Sequence, residues 1–167
     1  VVQSYIVMKG ESYMIKIDKL SKKYDKDYVL KDLSCTIKDN SIYGLVGPNG
    51  SGKSTLLRTI MGIYDTDGGD ITVDGSKVYD NDVIKQKMVF VQDDLYFNSN
   101  YTLMDTARYY ESMYKNFDMN YLKELANMLN LSLNKKISTF SKGMKRQCAL
   151  ICAISTNADY MFFDETF

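Results

Sequence analysis

The stretch Gly47-Pro48-Asn49-Gly50-Ser51-Gly52-Lys53-Ser54-Thr55 carries the densest chemistry in this chain. It fits the pattern G-x-x-x-x-G-K-[ST]. Glycines let backbone N–H groups curl around phosphate oxygens with no Cβ in the way. Lys53 sets a point charge against the outer phosphates, and the Ser54 hydroxyl can ligate Mg²⁺. Such a loop binds a nucleoside triphosphate, and that chemistry needs a second half. Tyr160-Met161-Phe162-Phe163-Asp164-Glu165 fits it. An apolar strand in a parallel sheet delivers its last residues to the ligand-binding edge. Asp164 is expected at the metal. Glu165, one residue beyond, is the candidate general base toward the attacking water.

Two elements must hold the first loop. Ser41 to Val46 reads as a buried strand, and Thr55 to Met61 as a helix ended by Gly62. Upstream, Met14 to Leu20 alternates as a strand, and Val29 to Asp39 reads as another. Asp65 to Gly69 is expected to turn, Ile71 to Val73 to be a short strand, and Asp74-Gly75 to turn again. Lys87 to Val91 is an apolar strand ending at Gln92. The texture then changes. Thr102 and Asp118 are placed to cap two helices, and Ser141 a third that runs to about Ser155. Cys148 and Cys152 share a face of that third helix and are expected to be small buried side chains.

The chain has 167 residues, with Lys+Arg and Asp+Glu both at 21. A formal net charge of zero gives no electrostatic case for nucleic acid as a partner. No run of about 18 apolar residues exists to span a membrane. Val1 to Met8 is apolar but short and has no basic start, so it is not expected to be a secretion leader.

In their order along the chain, these elements resemble the ATP-binding subunit of an ABC transporter. The resemblance runs from about Tyr13 to the last residue. Tyr24, 29 positions before Lys53, is similar to the aromatic that stacks on adenine. The phosphate loop resembles Walker A. Gln92 is similar to the glutamine that touches Mg²⁺ and the attacking water and links the site to the membrane partner. Phe140-Ser141-Lys142-Gly143-Met144 resembles the signature loop, usually Leu-Ser-Gly-Gly-Gln, with Lys142 and Met144 as departures. Asp164-Glu165 resembles Walker B and the catalytic glutamate. The Ser-Lys-Gly-Met form followed by Lys145 and Arg146 is similar to the subgroup serving type-2, exporter-like permeases.

The resemblance implies an α/β P-loop NTPase fold of ABC type. It has an antiparallel β subdomain, a mostly parallel core sheet and an inserted helical subdomain. Residues 14–92 and 156–167 are then the ATP-binding core, 93–155 the helical subdomain, and 1–13 an extension or cloning remnant. ATP and Mg²⁺ are the implied cofactors. Ser141, Lys142, Gly143 and Met144 are implied to close on the ATP of a second subunit, in a homo- or heterodimer. The implied partner is a membrane permease, and the implied location is cytoplasmic, at the inner face of the membrane through that permease. Tyr101, Tyr109, Tyr110 and Tyr114 are open to either reading, contacts for that partner or core.

The family continues past Walker B to a Gly-Leu-Asp loop and a histidine on the γ-phosphate. This sequence has no histidine, and Thr166 stands where the family has proline. The expectation is a truncated subunit that binds ATP and hydrolyses it poorly. The alternatives are a non-transport ABC ATPase acting on ribosomes or DNA, and an inactive nucleotide-binding module. Within the first, DNA-associated relatives are disfavoured by the short span of 88 residues from Lys53 to Ser141, and ribosome-associated ones because neither a second cassette nor a charged linker is seen in this sequence.

Overall fold

The computed structural model describes residues 2–8, 14–38, 41–92, 97, 98 and 100–164. They divide into two compact units, residues 1–90 with 159–167, and residues 91–158.

The first unit holds two four-stranded sheets, in the orders β4-β1-β8-β7 and β3-β2-β5-β6. Their strands are β1 (Val2–Met8), β2 (Met14–Tyr24), β3 (Asp27–Lys38), β4 (Ile42–Val46), β5 (Gly68–Val73), β6 (Ser76–Lys77), β7 (Met88–Val91) and β8 (Tyr160–Asp164). The second sheet is antiparallel at each pairing. Asp74 and Gly75, at φ 51° and 76°, form its tight hairpin turn. Gly68 and Gly69 belong to β5 rather than to the turn expected there. The reason is close approach: a Cβ on Gly69 would stand 2.3 Å from the carbonyl oxygens of Asp18 and Lys19.

In the first sheet β1 lies between β4 and β8 and is antiparallel to both. β4 and β8 therefore run in the same direction. Residues 2–8, placed from sequence within an extension, are hydrogen-bonded on both sides. Helix α1 (Lys53–Ile60) packs on β8. Leu57 and Ile60 of α1, Ile6 of β1, Ile15 and Ile17 of β2 and Phe162 of β8 join in one core. The short helix α2 (Asp82–Lys85) has no counterpart in the sequence reading.

β4 departs from the expected buried strand. Ile42 is 71% exposed and Val46 68%, while Tyr43 and Leu45 pack on the core. β4 ends the sheet order, and only one of its faces is covered by described residues.

The second unit is helical, with α3 (Leu103–Met113), α4 (Met119–Met128) and α5 (Lys142–Ser155). Each starts where a side chain takes up orphan N–H groups. Thr102 Oγ1 accepts from Asp105 N at 3.1 Å while Asp105 accepts from Thr102 N at 3.0 Å. Asp118 Oδ1 accepts from Asn120 N and Tyr121 N, both at 2.9 Å. Ser141 Oγ accepts from Met144 N at 3.2 Å. Leu103, Ala107, Leu122, Ala126, Ile151 and Cys152 form the core. Of the tyrosines, Tyr110 packs on that core and stacks on Tyr114 at 6.1 Å, whereas Tyr101 and Tyr109 are exposed. Met113, Tyr121 and Leu129 are also exposed, so the outer edges of the expected apolar faces stay open. Among the described residues no helix is long and apolar enough to cross a membrane.

Candidate functional site

The phosphate loop leaves β4 at Val46 and enters α1 at Lys53. Ser51 N donates to Pro48 O at 3.2 Å, which folds the loop on itself. A Cβ on Gly47 would stand 2.6 Å from Ser51 Oγ. Gly52 occupies the helix N-cap at φ 90°, with Leu56 N donating to its carbonyl at 2.8 Å. It has no side chain to cap the helix, and the first turn carries no acid. The first-turn N–H groups and the positive end of the helix dipole therefore have no side-chain anion in the first turn to offset them.

Lys53 bends back over this loop. Its Nζ donates to Gly47 O at 2.9 Å and to Pro48 O at 3.0 Å. Two carbonyls hold the ammonium in the place where phosphate oxygens would compete for it. A cavity of about 390 Å³ opens beside it, lined by Tyr24, Val29, Asn49, Gly50, Gly52, Lys53, Ser54 and Thr55. That volume lies within the ordinary range for small-molecule sites. Tyr24 is 46% exposed, with its ring edge-on to Tyr64 at a centroid distance of 6.2 Å. An aromatic face, a glycine loop, an ammonium and a hydroxyl thus converge on one cavity.

Asp164 closes β8 and is 3% exposed. Its Oδ1 accepts from the Ser4 hydroxyl at 2.9 Å. Sequence reasoning did not anticipate this Ser4–Asp164 pair. The only local signal was the β-branched and aromatic run beside it, Tyr5-Ile6-Val7. Gln92 is exposed, immediately after β7. Glu165 lies outside the described residues. Ser141, Lys142 and Gly143 are exposed at the start of α5 in the second unit, with Met144 half-buried.

Hydroxyl and carboxylate oxygens such as those of Ser54 and Asp164 are the hard donors that suit Mg²⁺. Among the described residues no group of three or more His, Cys, Asp or Glu side chains could hold a metal. Mg²⁺ ordinarily binds through one or two carboxylates together with substrate phosphates. By type, one hydroxyl and one carboxylate fit that habit, and Asp164 is not among the residues lining the cavity of Lys53 and Ser54.

Residues 30–167 match the family model for the ABC transporter. The chain is 35% identical over 152 residues to the ABC transporter ATP-binding protein YtrB of Bacillus subtilis, covering 91% of this chain and 52% of that protein. It is 30% identical over 158 residues to the linearmycin resistance ATP-binding protein LnrL of the same organism, covering 91% and 51%. The chain therefore spans about half the length of these curated relatives. Among solved structures, a putative ABC transporter ATP-binding protein from Pyrococcus furiosus superposes with a TM-score of 0.71 at 26% identity, covering 87% of this chain and 72% of that one. An ATP-binding subunit of an ABC transporter shares the fold at a TM-score of 0.73 and 22% identity, covering 87% and 63%.

Proposed function

The chain belongs to the ABC transporter family, and from that premise we propose that it is the ATP-binding part of a transporter motor. The carrying observation is the single cavity shared by Tyr24, Lys53 and Ser54. In this reading the γ- and β-phosphates take over the Lys53 ammonium from the carbonyls of Gly47 and Pro48. The N–H groups from Gly50 to Thr55 wrap the phosphate oxygens. Tyr24 packs on the adenine ring. Ser54 and Asp164 hold Mg²⁺, which when bound neutralises charge building on the phosphates. Glu165 takes the proton of the attacking water.

The same reading gives Ser141, Lys142, Gly143 and Met144 a target on a second subunit. The Ser141-capped N-terminus of α5 would meet the ATP held by that subunit, so nucleotide becomes the link of a dimer. Gln92 is assigned the connection to a membrane permease, with the exposed Tyr109, Met113 and Tyr121 of the helical unit as candidate contacts. Peripheral attachment to the membrane would follow from that partner. The names of YtrB and LnrL support the transport assignment.

Glu165→Gln in the full-length protein tests it. ATP binding should persist, and light scattering should find an ATP-bound dimer that accumulates. Loss of binding in that variant would make the base assignment wrong. Binding with no ATP-dependent association would count against the dimer.

A further inference from the structure

We infer that Tyr64 is a positioning residue for Tyr24, holding its ring where a nucleobase can stack in the cavity of the phosphate loop. This rests on the Mg·ATP reading above, and within it on the assignment of adenine to Tyr24. Tyr24 is the last residue of β2, with Asp25 behind it at φ 53°. It lines the same cavity as Lys53 and Ser54. It is 46% exposed, so the strand alone leaves its ring free to change rotamer. A ring that must be ordered on binding costs affinity, and one held beforehand avoids that cost.

Tyr64 supplies the hold. The two rings meet edge to face, with 6.2 Å between centroids and 89° between planes. A perpendicular pair engages at most one face of either ring. At least one face of Tyr24 is therefore left uncovered by Tyr64. Tyr64 is itself fixed by the helix that starts at the phosphate loop. Gly62 turns the chain out of α1 at φ 65°, and Ile63 N and Tyr64 N donate to Arg58 O at 2.9 and 3.3 Å. Three residues on, Asp67 clamps the end of β2. Its N–H donates to Ser21 O at 2.9 Å, and its Oδ2 accepts from Lys23 N at 2.8 Å. Lys22 Nζ lies 3.0 Å from the same oxygen. One connection thus joins the helix of Lys53 and Ser54 to the strand end of Tyr24. It sets the aromatic ring against the loop that would hold the phosphates.

The test separates the base from the phosphates. The whole chain is titrated calorimetrically with ATP and, separately, with inorganic triphosphate, which carries no base. Mg²⁺ is present in both. Tyr24→Ala should weaken ATP binding about tenfold. Tyr64→Ala should weaken it about 2- to 10-fold. Neither should change the affinity for triphosphate. Tyr64→Phe keeps the ring and should match the wild type. In a Tyr24→Ala background, Tyr64→Ala should add nothing. Tyr64→Leu keeps apolar bulk without a ring. It should behave as Tyr64→Ala does, and it decides if that variant fails to fold. Unchanged ATP affinity in the ringless variants, where Tyr24→Ala does bind more weakly, overturns the inference. So does an equal loss of ATP and triphosphate, which marks a structural role, and so do additive losses in the double variant. If Tyr24→Ala binds ATP as the wild type does, the adenine assignment fails and this inference with it. Failure of the wild type to bind either ligand overturns the functional reading itself.

Discussion

The hydroxyl of Tyr160 donates a hydrogen bond to Oδ1 of Asp74, across 86 residues of chain. Asp74 sits in the β5–β6 turn of one sheet, and Tyr160 opens β8 of the other. Lys87 Nζ donates to Asp74 Oδ2 at 2.8 Å, and Met14 N to Oδ1 at 3.3 Å. One carboxylate thus ties the antiparallel sheet to the strand that ends at Asp164.

That tie predicts a stability profile with two limbs. Burial acts to raise the Asp74 pKa, but hydrogen bonds from Lys87, Tyr160 and Met14 outweigh it and hold the carboxyl below its ordinary value. Its contribution is present above the unfolded carboxylate pKa, about 3.9, and is lost as pH falls through the folded value. Burial, then the Asp74 hydrogen bond, pushes the Tyr160 hydroxyl up. Its contribution is present below the unfolded tyrosine pKa, about 10, and is lost as pH rises through the folded value. Urea midpoints measured from pH 3 to 11 should show both limbs. Asp74→Asn should flatten the acid limb, and Tyr160→Phe the alkaline one. Tyr160→Phe should cost about 1–3 kcal/mol at neutral pH. Unchanged limbs in both variants would contradict the tie.

Gly52 and Gly50 predict a contrast within the loop. Both have φ above zero, at 90° and 80°. A Cβ on Gly52 would meet Val29 Cγ1 at 3.0 Å and Val29 O at 3.1 Å, whereas Gly50 faces open space. Gly50→Ala should cost about 1–2 kcal/mol for left-handed backbone alone. Gly52→Ala should cost more, because the β3 backbone must also move. Thermal melts of the two variants check the order, and equal losses would contradict it.

The three free cysteines give a simpler check. Cys35 is exposed, while Cys148 and Cys152 are buried in the helical core. Burial pushes the Cys148 thiol up to about 12 and the Cys152 thiol also upward, so neither offers a thiolate at neutral pH. Burial raises the Cys35 thiol too, but it is exposed, so a thiol reagent at pH 7 should label Cys35 first and the other two only on unfolding. Rapid labelling of Cys148 in the native state would contradict the packing of α5.

What was legible in the sequence was local. The phosphate loop could be read because its chemistry restricts residue types at fixed offsets. The caps at Thr102, Asp118 and Ser141 could be read because each side chain binds N–H groups two or three residues ahead. What escaped was pairing at a distance. Nothing near Ser4 announces a partner 160 residues away. Exposure of Ile42 and Val46 escaped for the same reason, since an apolar run does not say whether its strand ends the sheet. Gly68-Gly69 looked like a turn because glycine serves both turns and close backbone approach, and only the neighbouring strand decides which.

Lys53 provides the most direct test of the central claim, that the cavity beside the loop binds Mg·ATP. Calorimetric titration of the wild type and Lys53→Ala with ATP in Mg²⁺ is the measurement. The account predicts saturable one-site binding by the wild type. Lys53→Ala should bind about 10–100-fold more weakly, as expected for losing charge-assisted hydrogen bonds worth about 1.5–3 kcal/mol. Equal affinity in the two proteins, or no binding by a folded wild type, would contradict it.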